Sequence, residues 1–250
     1  MTLCRRLSEM RLAMMMLTRL PMGRLRDPVP QMAEARWAFP LAGVPVGLAG
    51  WGILCTADAV GLGGLAAALL ALGGMVALTG GLHHDGLADF VDSMGGRDRA
   101  QRLEIMRDSR IGSYGVVALI FAVGLSAAAL AATPMSAWAG FILVAMASRL
   151  AMLIVLDVMP PSRPDGLGRM AAPASDGTLW RVWLPGSLLC GLAALALGTD
   201  AMPILVAMAL CTAFVAWRAH RLIGGQTGDV LGAVQLTSET AGWLVLSALL

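Results

Sequence analysis

The sequence predicts an all-α, polytopic integral membrane protein: a bundle of about six or seven transmembrane helices with an N-terminal interfacial helix. Hydrophobic residues make up 58% of the 250-residue chain, and 30 glycines add to its apolar content. Only 14% of the residues are charged, whereas soluble domains average about 25%. This composition excludes a soluble globular fold and also a disordered chain, which would be rich in charge. The net charge of +2 is too small for a nucleic-acid-binding surface, so no nucleic-acid partner is expected.

Residues 1–36 are predicted to form a cytoplasmic or interfacial segment ahead of a transmembrane catalytic bundle over residues 37–250. The segment carries seven arginines, and its apolar run Leu12–Leu17 is shorter than a signal-peptide core of roughly 7–15 residues, so no cleavage is expected. Its apolar residues recur at helical spacing, and the arginines occupy other positions. These apolar residues are Leu3, Leu7, Met10, Met14 and Leu17. This pattern is typical of a helix in the lipid headgroup layer.

Seven apolar stretches follow, each of about the 20 residues that cross a bilayer. They lie at 37–57, 61–82, 112–132, 135–159, 180–199, 201–223 and 231–250. Of the 18 arginines, 17 fall on alternate connections, which the positive-inside rule assigns, together with the N-terminus, to the cytoplasm. The remaining one, Arg149, lies within the fourth stretch. A charge at that depth is costly unless it faces a polar cavity, finds a partner or reaches the headgroups, so Arg149 is a substrate-binding candidate.

The longest polar connection contains three aspartates, Asp85, Asp89 and Asp92, spaced so that all three share one face if the segment is helical. At roughly 6 Å and an effective dielectric constant near 20, two adjacent carboxylates repel by about 3 kcal/mol, so the cluster needs a cation. Oxygen ligands favour Mg²⁺ or Mn²⁺ over zinc. Because Asp85 and Asp92 are separated by roughly 10.5 Å of helix rise, two ions with Asp89 near both fit better than one. The alternative is an ordinary solvated acidic face.

Several polar residues near the aspartates are candidates for binding and proton transfer. His83 is placed to accept a proton or to bind a substrate oxygen, whereas His84 points about 100° away on a helix. Arg107 and Arg110, which flank Asp108, suit phosphate because guanidinium groups bind its oxygens in pairs and keep their charge. Further arginines of this connection are explained equally well by membrane anchoring: Arg97, Arg99 and Arg102.

A second polar stretch, residues 221–233, places four glycines around Asp229. Glycines let the backbone approach a ligand closely. Acids, arginines and glycines at one membrane face together indicate a metal and diphosphate site. At such a site an acceptor hydroxyl attacks one phosphorus and a nucleoside monophosphate leaves.

These motifs resemble those of the cobalamin synthase family, the adenosylcobinamide-GDP ribazoletransferases. The similarity covers nearly the whole chain: Leu17-Thr18-Arg19-Leu20-Pro21, Phe39-Pro40-Leu41-Ala42-Gly43, His83-x-Asp85-Gly86-Leu87-Ala88-Asp89-x-x-Asp92, Glu104-Ile105-Met106-Arg107-Asp108-Ser109-Arg110-Ile111-Gly112, and Gly224-Gly225-x-Thr227-Gly228-Asp229-x-Leu231-Gly232-Ala233. The two motifs that carry aspartates are specific in this order, whereas the proline and glycine matches are weak. His84 departs from the family pattern.

The resemblance implies a bacterial inner-membrane enzyme for the last step of cobalamin nucleotide-loop assembly. Such an enzyme joins adenosylcobinamide-GDP to α-ribazole or its 5′-phosphate, forms adenosylcobalamin or its phosphate, and releases GMP with Mg²⁺. We therefore expect Asp85 and Asp89 to hold the metal and Asp92 to bind metal or, like His83, to take the proton. Arg107 and Arg110 would hold phosphate, with Asp108 and Asp229 orienting them or binding a second metal ion.

Three alternatives stay open at this point. A lipid CDP-alcohol phosphotransferase also has an acidic metal cluster, but the motif after Asp85-Gly86 differs from the pattern of that family. A secondary transporter would also bury Arg149 and break its helices with glycine, yet its acids would lie at the midplane. A non-catalytic scaffold would keep its function without the aspartates. The sequence leaves the lower base of the acceptor and the assembly of copies undetermined.

Overall fold

Backbone amides in an apolar environment must be paired within their own element, and this chain satisfies them with helices. The computed structural model describes residues 3–172 and 179–250, and within them no β-strand occurs. The helices are α1 Leu3–Leu17, α2 Met32–Ala35, α3 Gly43–Ala59, α4 Leu65–Thr79, α5 Leu82–Ser93, α6 Arg99–Ile105, α7 Ser113–Ala132, α8 Trp138–Val158, α9 Leu167–Ala171, α10 Leu179–Leu197, α11 Ala201–Ile223 and α12 Gly228–Leu249. Short 3₁₀ turns lie at Arg36–Ala38, Pro40–Ala42 and Gly198–Asp200. The all-α prediction is confirmed.

Four helical runs are long and apolar enough to cross a membrane: Pro40–Ala59, Ser113–Ala132, Trp138–Val158 and Val182–Ile223. A fifth is counted if α4 and α5, which meet at 90°, form one broken span. The predicted membrane helix bundle is therefore confirmed. The run Val182–Ile223 contains two of the predicted spans. Helix α12 lies at the last predicted stretch, but its buried polar residues lower its hydropathy, so it is not among the four runs.

The 42-residue run Val182–Ile223 doubles back instead of continuing straight. Near its start, Trp183 Nε1 donates to Asp157 in the last turn of α8 at 2.9 Å. At its end, Arg99 donates to the carbonyl oxygens of both Ile223 and Ser162, which follows α8. A straight helix of this length would extend about 63 Å. Because both ends lie near the end of α8, α10 and α11 run in opposite directions.

Helix α1 packs against the bundle through a buried acid. Glu9 is fully buried, accepts a 2.7 Å hydrogen bond from Trp37 Nε1 and pairs with Arg6 at 2.9 Å. On the same helix Leu3 and Leu7 are exposed. This anchors the N-terminal segment, and its placement in the headgroup layer stays a prediction.

The bend between α4 and α5 is made by two glycines. Gly80 and Gly81 have φ of +66° and +71°, a left-handed conformation that costs residues with a Cβ atom about 1–2 kcal/mol each. The predicted span 61–82 therefore ends here, and α5 turns across the end of the bundle.

Helix α5 crosses α12 with backbone against backbone. A Cβ atom on Gly86 would lie 3.0 Å from the Asp229 carbonyl oxygen and 3.1 Å from the Gly232 Cα. We call this end of the bundle, where α5 meets the first turns of α7 and α12, the site end. The two glycines thus bring the acids of α5 beside Asp229.

Replacing Gly86 by leucine tests this crossing. We expect Gly86→Leu to lower the free energy of unfolding by about 1–3 kcal/mol, because the backbone atoms that it meets cannot rotate away. Denaturant titration of the detergent-solubilised protein measures the change. The matched control is Gly124→Leu on α7, where a Cβ atom meets nothing within 4 Å. Equal stability of the two variants would contradict a close crossing.

Candidate active site

The three aspartates of α5 lie on one helix, as their spacing predicts. Asp85 is exposed, whereas Asp89 and Asp92 are half-buried. Partial burial, followed by the charges of Asp85, Asp229 and Asp92, raises the pKa of Asp89 to about 7, against the opposing charge of Arg163. Four carboxylates from two helices are therefore near one another, in a place with too little positive charge to keep them all ionised.

Asp92 holds the start of α7. One of its oxygens accepts a hydrogen bond from the Gly112 N–H at 2.7 Å, and the other accepts from the Gly115 N–H at 2.9 Å. A Cβ atom at either glycine would lie 2.4 Å from an Asp92 oxygen. Asp92 therefore satisfies two amides that the first turn of a helix leaves unpaired. Its predicted roles as metal ligand and proton acceptor stay predictions.

Asp229 enters the cluster from the first turn of α12. The Thr227 hydroxyl donates to Asp229 Oδ2 at 3.2 Å and accepts from the Val230 N–H at 3.3 Å, so the same side chain caps the helix and orients the acid. Burial raises the pKa of Asp229, and Arg163 opposes that rise.

Arg163 is a site residue that sequence reasoning did not single out. Its Nη2 lies 3.6 Å from Asp229 Oδ2 and donates to the Leu103 carbonyl at 3.2 Å, while its buried Nε has no hydrogen-bond partner. The signal for it is the short polar loop after α8, which holds Arg163 between prolines at 161 and 164.

That loop is fixed against the glycine-rich connection before α12. The Ser162 N–H donates to the Gln226 carbonyl at 2.8 Å, and the Gln226 N–H donates to the Pro160 carbonyl at 2.9 Å. A Cβ atom on Gly225 would lie 2.1 Å from the Pro160 oxygen. Gly225 thus permits the backbone contact that sets Arg163 beside Asp229.

Two hollows meet at Asp229. The carboxylate hollow, about 220 Å³, is lined by His83, Asp85, Gly86 and Asp229 among apolar side chains. The arginine hollow, about 110 Å³, is lined by Arg163, Arg169 and the backbone at the start of α12. A helix N-terminus flanked by arginines attracts anions. The pair of hollows can therefore hold an anionic group against the acids.

Both histidines lie at the start of α5. His83 is 2% exposed, and its Nε2 has no hydrogen-bond partner. His84 is half-buried and leaves Nδ1 unpaired. Since His83 lines the carboxylate hollow, it is placed beside Asp85 as the sequence predicts.

The predicted phosphate arginines lie further out. Arg107 bonds Asp165 at 3.0 Å, and Arg110 bonds Asp108 at 2.7 Å. Arg110 is 86% exposed. The structure therefore does not bring Arg107, Asp108 and Arg110 into the hollows, and their substrate contacts stay predictions.

Two other arginines of the same connection bind the end of α11. Arg99 and Arg102 donate to the carbonyls of Ile223 and Leu222, where a helix leaves oxygen atoms unpaired. Arg149 is buried in the bundle and faces Glu239 at 3.9 Å.

The acids fit a hard cation by their chemistry. Within residues 3–172 and 179–250, no three His, Cys, Asp or Glu side chains are arranged around one point as a metal ion would require. Mg²⁺ usually takes only one or two protein carboxylates and completes its shell with water and phosphate. The oxygen donors of Asp85, Asp89 and Asp229 are compatible with that coordination.

The fold and the site define the class of protein: a multi-pass membrane helix bundle with an acidic, arginine-flanked site at one end. Residues 9–247 match the model of the family described as cobalamin-5-phosphate synthase, and the chain belongs to that family.

Curated relatives share most of their length with this chain. The adenosylcobinamide-GDP ribazoletransferase of Azorhizobium caulinodans is 44% identical over 89% of this chain and 88% of its own. The proteins of the same name from Bradyrhizobium diazoefficiens and Mesorhizobium japonicum are each 40% identical, over 97% and 98% of this chain and 94% of their own. No solved structure matches the chain.

Replacing Asp92 by asparagine separates its structural contacts from catalysis. Asparagine offers one acceptor oxygen in place of two, so we expect Asp92→Asn to lower the free energy of unfolding by about 1–2 kcal/mol. Asp58→Asn, a change of an exposed acid in the last turn of α3, should stay within about 0.5 kcal/mol of the unmodified protein. Denaturant titration compares the two. An Asp92→Asn protein of full stability that has lost activity would place Asp92 in the chemistry instead.

Proposed function

We propose that this chain transfers the cobinamide phosphate of adenosylcobinamide-GDP to α-ribazole or its 5′-phosphate, with Mg²⁺, in the last step of cobalamin nucleotide-loop assembly. The products are adenosylcobalamin or its 5′-phosphate and GMP. The names of relatives that are 40–44% identical support this reaction. The supporting structural observation is the meeting of Asp85, Asp89 and Asp229 with Arg163 beside the start of α12.

The donor diphosphate is placed by charge. Its anionic oxygens suit the arginine hollow, which is lined by Arg163, Arg169 and the residues at the start of α12. Asp85, Asp89 and Asp229 are the residues that would hold Mg²⁺. A bound ion of this kind neutralises charge that develops on the transferring phosphoryl group.

His83 is the preferred proton acceptor over Asp92. It lines the carboxylate hollow, and its buried Nε2 is unpaired, whereas both oxygens of Asp92 are bonded to α7. Burial, followed by the charges of Arg149 and His84, lowers the pKa of His83 well below its ordinary value. The imidazole is therefore neutral, the form that accepts a proton, and is a weaker base than an exposed histidine.

The proposed reaction is a single exchange at phosphorus. The acceptor hydroxyl attacks the phosphorus on the cobinamide side of the diphosphate and forms the new P–O bond. The bridging P–O bond breaks, and GMP leaves with the bridging oxygen. The hydroxyl proton goes to His83, and Arg163 stays beside the phosphate oxygens throughout.

The membrane orientation belongs to the same proposal. The site end carries the arginine-rich connections, and the positive-inside rule places these on the cytoplasmic side. We infer an inner-membrane protein that meets its substrates from the cytoplasm.

Detergent-solubilised protein tests the reaction directly. With adenosylcobinamide-GDP, α-ribazole and Mg²⁺ it should form GMP and adenosylcobalamin in equal amounts, and EDTA should stop both. Asp85→Asn and Asp89→Asn should each lower kcat/KM at least 100-fold, equal to about 2.7 kcal/mol of transition-state stabilisation. The control is Asp58→Asn, which changes an exposed acid in the last turn of α3. Its kcat/KM should equal that of the unmodified protein.

The same assay separates the rival functions. A transporter would release no GMP in detergent, where it has no compartment to cross. A lipid phosphotransferase would require a lipid alcohol in place of α-ribazole. Normal turnover by folded Asp85→Asn and Asp89→Asn would overturn the metal assignment.

Arg163 should act on the donor. Arg163→Gln removes a charge from the arginine hollow, so we expect KM for adenosylcobinamide-GDP to rise about tenfold with little change for α-ribazole. Arg163→Lys should recover part of the loss, because the charge returns without the paired N–H donors. Steady-state kinetics with each substrate varied in turn measures this. Arg221→Gln, at an exposed position, is the control, and an equal effect there would indicate only a general loss of positive charge.

A further inference from the structure

A third cavity lies inside the bundle, between α4, α7, α8 and α12. This inner cavity has a volume of about 240 Å³, and most of its wall is apolar, including Leu72, Met75, Ala122 and Trp243. Its size and lining suit a flat, largely apolar ring system. A corrin ring is far too large for it.

One end of the inner cavity is polar. Arg149 is 1% exposed, donates from Nη1 to the Ala145 carbonyl at 2.7 Å and faces Glu239 at 3.9 Å. Gln235 donates to Glu239 and to the Ser148 hydroxyl. Arg149 Nε is buried and has no hydrogen-bond partner. A buried donor without an acceptor is unfavourable, and Arg149, which carries this one, lines the cavity.

The inner cavity adjoins the carboxylate hollow through His83. This side chain lines both spaces. A ligand with one end at the acids would therefore reach the inner cavity past His83. Under the proposed function, the only such ligand end that reacts there is the ribose hydroxyl of the acceptor.

We propose that the inner cavity binds the heterocyclic base of the acceptor nucleoside, with Arg149 Nε donating to the free ring nitrogen of that base. This inference rests on the proposed function and extends it to the acceptor subsite. α-Ribazole carries a benzimidazole, a two-ring apolar base with a single unprotonated ring nitrogen. That base matches a mostly apolar wall that has an unpaired donor at Arg149. The guanine of the donor has several polar edge groups and suits such a wall less well.

Gly73→Leu adds volume at an exposed position on the edge of the inner cavity, away from its polar end. Gly73 lines the cavity, and a Cβ atom there meets nothing within 4 Å. We expect Gly73→Leu to raise KM for α-ribazole at least tenfold and to leave KM for adenosylcobinamide-GDP within twofold. Equilibrium dialysis of labelled α-ribazole, without donor, should show the same loss of affinity. Gly124→Leu on α7, which does not line the cavity, is the matched control and should match the unmodified protein in both measurements.

A second experiment tests the hydrogen bond. Arg149→Lys keeps the charge that faces Glu239 and removes Nε, so we expect about ten- to a hundredfold weaker binding of α-ribazole, the effect of one hydrogen bond from a charged donor. The indole riboside has C–H in place of the unprotonated ring nitrogen of benzimidazole. It should bind the unmodified protein more weakly than α-ribazole does, by the same factor. It should bind Arg149→Lys and the unmodified protein equally. A purely structural effect of the substitution would instead weaken both ligands.

The outcomes separate failure of this inference from failure of the proposed function. If the unmodified protein forms no adenosylcobalamin, the proposed function is wrong. If it does so and Gly73→Leu binds α-ribazole normally, only the assignment of the inner cavity is wrong. Loss of co-purified lipid from Gly73→Leu in nanodiscs, measured by mass spectrometry, with normal α-ribazole binding would identify the cavity as a lipid site and also overturn the proposal.

Discussion

The close crossing of α5 and α12 is the contact on which the site depends. At Gly86 and Gly232 the two backbones are so close that a Cβ atom on either glycine would lie 3.1 to 3.2 Å from the Cα atom of the other. This close approach places Asp229 beside the acids of α5. Partial burial, followed by the charges of the neighbouring acids, raises the pKa of Asp89 to about 7. Nearby positive charge stabilises the ionised form of such acids. The chain itself supplies one such charge, that of Arg163. The remaining demand for positive charge is the physical basis of the metal proposal.

Local spacing was sufficient to predict part of this arrangement. Asp85, Asp89 and Asp92 follow a helical period, so their common helix could be predicted from the sequence. Arg163 could not be predicted in this way because its partner Asp229 is 66 residues further along the chain, and only the contact between the Pro160 loop and Gly225 joins them. Such a contact depends on tertiary packing, which spacing within one segment does not report.

For Asp92, spacing along the helix predicts a metal ligand, but the structure shows contacts with α7. Its spacing fits the metal face of α5, yet its oxygens bond the amides of Gly112 and Gly115. A carboxylate at the N-terminus of a neighbouring helix and a carboxylate at a metal have the same residue type and the same period. They are distinguished only by where α7 begins in space.

For Arg149, the sequence position predicts a role, and the structure identifies its partner. Its position inside an apolar stretch predicts a role, because a charge in such surroundings needs a partner. The structure supplies Glu239 as that partner, and it also shows that the pairing leaves Nε without an acceptor. The five N–H donors of a guanidinium exceed what one carboxylate can accept, and replacing a buried ion pair by apolar residues often costs nothing. The unpaired N–H next to a cavity that adjoins His83 therefore favours a ligand contact over a purely structural role.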